Sequence, residues 1–483
     1  MTLDFEWQAP LAPDNDLSPS LGPDFAGDDT GARPAAADRG RPSRRFYVPV
    51  LAKYLIAVGL AGAWLLFSVV VSQAWLADLT ELTSRWFALT VLTFIAYLPG
   101  FMNAFLIVAL LLDKRPPRSS PKNYPPLSIL VAAYQEERTI VHTMASIAKE
   151  TYPGSIELII LNDGSRDGTA EAARRGQEGL HFPANMTVRV MNFVQNRGKS
   201  AVLNDGLEAA SHDLVVTIDA DTRIRADSLT KLVERFLSDP PNTAAVAGAI
   251  LVGNSRASLM AGLQEWDYFH GIAAVKRMQS MFHGTLVAQG AFSIYRRDAL
   301  LEVGGWDHVV GEDIVLTWAL LDEGYRTGYA EDAVAFTNAP TTYRQFAQQR
   351  RRWARGLIEA LRRYERLLFR PRLTTMFIWW NCFFLPMDLI FSVVFIPGVI
   401  LACFGVFWIA GPLTLLTLPL AALWNVLIFR IQQRMFHGQG LRVRRNWTAL
   451  VLYILGYALL MQPVSLWGYL TELAGRQKRW GTK

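Results

Sequence analysis

Four stretches of this chain are almost free of charge and long enough to cross a hydrocarbon core, which takes about 20 helical residues: Tyr54–Leu76, Trp86–Leu112, Leu373–Phe429 and Trp447–Thr471. Leu373–Phe429 has room for about two crossings, with a break near Gly411-Pro412, and Asp388 is its one charge. Nothing else constrains the fold as much, because backbone facing lipid must satisfy its own hydrogen bonds and does so as helix. The chain divides accordingly into a tail (1–45), a hairpin of two membrane helices (46–115), a water-facing domain (116–356), an interfacial amphipathic helix (357–372), a second membrane region of about three helices (373–475) and a basic tail (476–483). Only 19% of the 483 residues are charged, against about a quarter in soluble domains. That balance excludes a chain disordered throughout and argues against a single soluble domain.

The charges that remain set the expected orientation. Arg39, Arg41, Arg44 and Arg45 precede the first apolar run, and Lys114 and Arg115 follow the second. Basic flanks stay in the cytoplasm, so both ends of the hairpin, and the domain after it, are expected there. The loop with Arg430, Arg434, Arg442, Arg444 and Arg445 reads the same way. The tail residues Arg476, Lys478 and Arg479 are also basic, yet one crossing between two basic segments leaves one of them outside. The side of the C-terminus therefore stays open. Residues 1–45, rich in Pro, Asp, Gly, Ala and Ser, read as a disordered cytoplasmic tail, and the first apolar run starts too far from Met1 for a cleaved signal. Cys382 and Cys403 both lie in apolar runs, which leaves no disulfide framework or Cys-rich metal site.

From Leu127 to about Gly356 short β-rich runs alternate with helical stretches. Ser128–Ala133, Glu157–Leu161, Val188–Met191, Leu214–Ile218 and Ala244–Ala247 read as strands, several of them apolar on both faces. This is the pattern of a mixed, mostly parallel sheet covered by helices, an α/β domain inserted between transmembrane helices. Ligands of such sheets bind beyond the carboxyl ends of the strands.

Polar residues gather at those ends. Ala133-Tyr134-Gln-Glu136 follows the first strand, Asn162-Asp163-Gly-Ser165 the second, Asn196-Arg-Gly-Lys199 the third, and Asp219-Ala-Asp221 the fourth. A lone Asp-x-Asp is most often a solvated turn. Four such segments at successive strand ends form instead a crevice suited to a nucleotide, with two hard oxygen ligands for Mg2+ or Mn2+ on a diphosphate. Gly311-Glu312-Asp313 opens a helical pattern, where acids favour the helix N-terminus and one of them is a candidate base for a hydroxyl. Gln349-Arg-Arg-Arg352-Trp353 lies in a basic amphipathic stretch; an Arg there can fork onto phosphate and an indole can stack on a sugar.

Asp163, Asp219-Ala-Asp221, Gly-Glu312-Asp313 and Gln349-x-x-Arg352-Trp353, in this order between apolar spans, resemble the processive membrane glycosyltransferases of family 2, the group of cellulose, chitin and hyaluronan synthases. Within it, Asn162–Ser165, Gly271–Gln279 and the Gly-Glu-Asp-Ile314 form are most similar to bacterial poly-β-1,6-N-acetylglucosamine synthases. Ala288–Ala291 and Ala339–Thr342 depart from the usual motifs.

The resemblance implies a GT-A (Rossmann-like) fold in which Ala133, Tyr134, Glu136, Asp163, Lys199 and Asp219 bind the nucleotide sugar. Asp219 and Asp221 would hold Mg2+ or Mn2+, Asp313 with Glu312 would be catalytic, and Gln349, Arg352 and Trp353 would face diphosphate and acceptor. It further implies an inverting, processive enzyme of the bacterial inner membrane, with a UDP-sugar donor, most simply UDP-N-acetylglucosamine, and a growing exopolysaccharide of biofilm type as acceptor. A small membrane subunit and an export apparatus would assist it, and no nucleic-acid partner is expected. Asp388, ionisable within a span beside Pro386, would then line a polymer path or satisfy backbone at a kink. The rival readings are a UDP-glucose-dependent β-glucan synthase, a non-processive lipid glycosyltransferase and, in a different class, a non-catalytic membrane receptor or scaffold.

Overall fold

The computed structural model describes residues 48–115, 118, 120–441, 444 and 446–476. The expected tail 1–45 and the basic residues Arg442, Arg445, Lys478 and Arg479 lie outside them.

The central domain is built on strands β1 (Leu127–Ala133), β2 (Ile156–Asp163), β3 (Met186–Phe193), β4 (Leu214–Ile218), β5 (Arg223–Ile224), β6 (Thr243–Val252), β7 (Phe292–Arg296) and β8 (Arg326–Thr337). They form one sheet in the order β3-β2-β1-β4-β7-β6-β8-β5. β1 to β4 are mutually parallel, β7 runs antiparallel between β4 and β6, and β8 returns parallel to β6. Alternation along β1 shows why the strand is apolar throughout. Leu127, Ile129 and Val131 join a core with the helices Ile140–Ala148 and Ser228–Ser238, while Leu130 joins one with Lys199–Ala209 and Glu312–Asp322 on the other face. Both faces are buried, as a parallel sheet requires.

The five expected strands are all present. β5, β7 and β8 are not foreshadowed in the sequence, and β7 matters most because it places an antiparallel strand in the middle of the sheet.

Among the described residues, four helices are long and apolar enough to cross a membrane: Val50–Val71, Arg85–Leu111, Thr375–Cys403 and Trp447–Leu473. A further 26-residue helix, Pro412–His437, follows the turn at Gly411. In the hairpin, a short helix, Gln73–Leu82, stands between the two long apolar helices.

The expected boundary between 356 and 357 falls inside a single helix, Tyr343–Arg363, which starts with the Thr342 hydroxyl accepting from Gln345 N at 3.3 Å. No separate interfacial helix over 357–372 exists; Glu365–Phe369 is a 3-10 turn. Nor is the basic face of the Tyr343–Arg363 helix wholly solvated. Arg350 is buried against Asp267 at 2.6 Å and Arg355 against Glu472 at 2.8 Å. The reason is tertiary: the helix is covered along its length by the last helix, whose Gly468 abuts Ala354 and the Arg351 backbone so closely that a Cβ there would meet Ala354 Cβ at 2.7 Å.

That last helix is held by the sheet-bearing part of the chain at both ends. At its start Trp266 Nε1 donates to Asn446 O (3.0 Å) and Asn446 Nδ2 to Glu265 Oε2 (2.9 Å). At its end Arg355 Nη2 donates to Arg476 O (2.8 Å), beside its ion pair with Glu472. Tyr469 on the same helix lies close to Asp388, which is buried.

Candidate active site

The site lies beyond the carboxyl ends of β1, β2 and β4, where the sequence places it. The Asp163 carboxylate ends β2 and is 2% exposed. It accepts from Arg197 N (2.7 Å), Gly198 N (2.9 Å) and Asn196 Nδ2 (2.9 Å), and so fixes the turn that leads into the Lys199–Ala209 helix. Gly164 follows with φ +62°, and a Cβ there would stand 2.4 Å from the Gln195 backbone. Gly164→Ala is therefore expected to cost about 2–4 kcal/mol from the left-handed backbone and the clash together. A melting curve of the solubilised protein checks it, and an unchanged midpoint would contradict this reading of the turn.

At the end of β1, Tyr134 is exposed, and Gln135 adopts φ 58° with its N–H on Ser165 Oγ (3.0 Å). The Glu136 N–H is held by Thr169 Oγ1 (2.8 Å) and its carboxylate by Thr139 Oγ1 (2.6 Å). The Ala133 methyl is in the core, which leaves that residue its backbone to present.

Lys199 is the hub. Its Nζ lies 2.5 Å from Asp219 Oδ1 and 3.4 Å from Glu312 Oε1, which joins the end of β4 to the start of the Glu312–Asp322 helix. Burial works against its charge, but Asp219 and Glu312 outweigh burial and hold the ammonium well above its usual range. Burial raises Glu312, opposed by Lys199 and, further off, by Arg352. Gly290, in the departing Ala288–Ala291 segment, passes directly over this pair; a Cβ there would be 2.8 Å from Lys199 Nζ. Asp313 stands next to Glu312 with its Oδ1 accepting from Ile314 N (2.8 Å) and its carbonyl from Thr317 Oγ1 (2.6 Å). The same Thr317 Oγ1 receives Ala288 N (2.8 Å), tying the Asp313 turn to the Ala288–Ala291 segment.

The Gln349-x-x-Arg352-Trp353 face closes the other side. Trp353 is 39% exposed, with the Tyr268 ring 6.3 Å away and the Arg350 guanidinium 4.3 Å over its face. Arg352 is near enough to Glu312 to act on its charge, and Asp221, which accepts from Thr337 Oγ1 (3.3 Å), likewise acts on Tyr268. The buried Gln349 Oε1 accepts no hydrogen bond.

The structure thus brings Lys199, Asp219, Glu312 and Asp313 into one cluster and sets the Trp353 helix beside it. Sequence reading passes over Asp267, Arg350 and Lys276. The Asp267–Arg350 pair has no motif, since its two members stand 83 residues apart in the sequence. Lys276 is buried with its Nζ on Val287 O (2.8 Å), and burial, only partly offset by Asp313, lowers it to about 7. In the sequence it stands beside Arg277 at the end of a short apolar run.

An acid-lined crevice at the ends of a mixed sheet, with a basic, Trp-bearing helix across it, defines a nucleotide-sugar transferase architecture. Residues 125–356 match the family described as glycosyltransferase like family 2. Poly-beta-1,6-N-acetyl-D-glucosamine synthase of Staphylococcus aureus (strain COL) is 32% identical over 282 residues, which covers 56% of this chain and 66% of that protein. The protein of the same name from Staphylococcus epidermidis is 32% identical over 284 residues, covering 56% and 67%. A mannosyltransferase, PcManGT from Pyrobaculum calidifontis, solved in complex with GDP-Man and Mn2+, matches with a TM-score of 0.54 at 20% identity over 83% of this chain and 100% of that one, a likeness of fold. The chain spans about two thirds of the length of the staphylococcal relatives. The chain belongs to glycosyltransferase family 2, with the GT-A type of sheet expected from its motifs.

Proposed function

We propose that this protein is a multi-pass inner-membrane enzyme, its sheet domain cytoplasmic, that polymerises UDP-N-acetylglucosamine into a β-linked exopolysaccharide by an inverting, processive mechanism. The observation that carries the reading is the cluster of Lys199, Asp219, Glu312 and Asp313, with the helix that bears the exposed Trp353 packed beside it. The staphylococcal relatives, named for poly-β-1,6-N-acetylglucosamine synthesis, support the choice of sugar.

In this reading Asp313 takes the proton of the acceptor hydroxyl as its oxygen bonds to the anomeric carbon and the bond to UDP breaks. Single displacement on an α-linked donor gives a β product. Trp353 offers its indole face to the acceptor sugar, and Arg352 offers its guanidinium to the departing diphosphate. Asp219 and Asp221 fit a Mg2+ or Mn2+ ion as a pair of hard oxygen donors, and the described residues hold no three-ligand cluster of His, Cys, Asp or Glu, so diphosphate and water would complete the shell. Bound there, the ion supplies positive charge to the leaving group. With EDTA, UDP release is expected to fall by at least about 100-fold and to return with Mn2+; turnover unaffected by chelation would remove the metal from the site.

The test is UDP release by the full chain in lipid nanodiscs, with UDP-N-acetylglucosamine and UDP-glucose offered separately. Turnover of the first into a long product cut by a β-1,6-specific hexosaminidase is the expected result. Turnover of UDP-glucose alone would make it a glucan synthase, and release with neither, even with added lipid acceptor, would overturn the enzyme reading.

The same proposal places the Trp447–Leu473 helix along the cytoplasmic face without crossing, since both ends are bonded to the sheet-bearing unit. Both basic flanks then stay inside, as the positive-inside rule asks. A fluorescent protein fused to the C-terminus should glow and alkaline phosphatase fused there should stay inactive; active phosphatase would put the C-terminus outside.

A further inference from the structure

Away from the crevice, a cavity of about 700 Å3 opens where the first turns of two long apolar helices meet the sheet domain. Tyr54 of the Val50–Val71 helix and Met376 of the Thr375–Cys403 helix form its wall, in contact at 3.3 Å through the Tyr54 hydroxyl and the Met376 sulfur. The lining also carries Arg326, Arg370, Arg372 and His283, and no carboxylate is among its residues.

Two of these arginines have a structural task. Arg370 bonds the Asp322 carbonyl and carboxylate and Arg372 Nη1 the Leu321 carbonyl (2.9 Å), which caps the C-terminal end of the Glu312–Asp322 helix. That accounts for Arg370 and Arg372 and leaves Arg326 unexplained. Asp322 at this end is paired with Arg370 and followed by Glu323, while the lining itself holds three guanidinium groups and no carboxylate. Arg326 and Arg370 repel Arg372, whose own affinity for its proton is lowered first by burial. Burial and then Arg326 lower His283 in the same way, and its backbone holds φ 78°, in the left-handed region that glycine favours. With Arg326 and Arg370 partly buried and Arg372 exposed, this excess of positive charge draws an anion.

The level of the cavity says which anion. It lies at the first turns of both helices, and just outside it the exposed Phe369 (78%) packs edge-on to Trp379, as aromatic side chains do at the boundary between headgroups and chains. We infer that this cavity binds the phosphodiester of an anionic phospholipid headgroup, held by Arg326 and Arg372 with the acyl chains running along the Tyr54 and Met376 helices. Planar guanidinium groups fork onto phosphate oxygens, and basic pockets between membrane helices on the cytoplasmic side suit such headgroups. The inference rests on the membrane reading above, and goes beyond it in naming a lipid site.

The test uses the full chain and two readouts. Flotation with liposomes reports membrane association by itself. Native mass spectrometry of protein released from nanodiscs of phosphatidylglycerol in phosphatidylcholine then counts retained lipid. The wild type should float and keep phosphatidylglycerol in preference to phosphatidylcholine. Arg326→Gln should float equally but lose about tenfold in that preference, the scale of one charge-assisted hydrogen bond, while Arg326→Lys, which keeps the charge without the fork, should fall between. Should Arg326→Gln fail to fold, Arg326→Lys and competition carry the decision. Glycerol phosphate or inorganic phosphate displacing the lipid at millimolar concentration would assign the cavity to a soluble phosphate and overturn the lipid. Equal retention of both lipids, or of phosphatidylglycerol by wild type and Arg326→Gln alike, would overturn the site while flotation upheld the membrane reading. Failure to float would overturn both.

Discussion

Asp313→Asn is expected to lower UDP release by about 10²–10⁴-fold, the range of a lost general base, with donor binding unchanged. Asn keeps the size of the side chain and an oxygen for Ile314 N, which Asp313 Oδ1 receives at 2.8 Å, so the turn should hold. Its neighbour separates the roles of the two acids. Glu312 is buried and engaged at 3.4 Å by Lys199, which makes it a partner of that ammonium and a poor proton acceptor while the pair persists. Glu312→Gln should therefore weaken donor binding through Lys199 and Asp219 as much as it slows turnover. Steady-state UDP release with separate measurement of UDP-sugar binding decides. Asp313→Asn within about threefold of wild type, or Glu312→Gln the more damaging for the chemical step, would move the base from 313 to 312.

The second large effect is on the fold of the acceptor side. Asp267 and Arg350 form a buried pair at 2.6 Å, and Arg350 lies over the Trp353 ring. Asp267→Ala strands the guanidinium in an apolar setting among Tyr268, Tyr457 and Phe346, and is expected to cost about 3–5 kcal/mol. Removing both charges, as Asp267→Leu with Arg350→Met, should recover most of that loss, since a well-packed apolar pair of similar volume is no worse than a buried ion pair. Midpoints of thermal unfolding for the two single variants and the double variant form the cycle. If the double variant keeps its stability yet makes shorter polymer, the pair's place is to hold Trp353. If the losses simply add, the two residues do not act as a pair.

Much of the candidate site was legible because its residues are local to strand ends. Asp163, Asp219 and Glu312-Asp313 each follow or open an element whose apolar pattern is unmistakable, so their convergence follows once the strands are parallel. β7 is not announced by its sequence, because Phe292–Arg296 is short and mixed in character and becomes a strand by pairing with β4 and β6. Arg350 and Arg355 read as solvated because charge on a helix normally faces water. Their partners, Asp267 and Glu472, are 83 and 117 residues away, and no local pattern announces them.

The sequence by itself determined that apolar helices bracket an α/β domain, and that carboxylates and a lysine crowd the ends of its parallel strands. These follow from short-range rules: uncharged runs of membrane length, strands apolar on both faces, and polar turns after them. Only the tertiary structure decided that Lys199 bridges Asp219 and Glu312, that one continuous helix carries Trp353 across the crevice, and that the last apolar helix is bonded at both ends to the sheet-bearing unit. Those outcomes depend on where distant buried charges find partners. A buried charge is tolerated only beside its counter-charge, and which one lies near is a property of the packed chain.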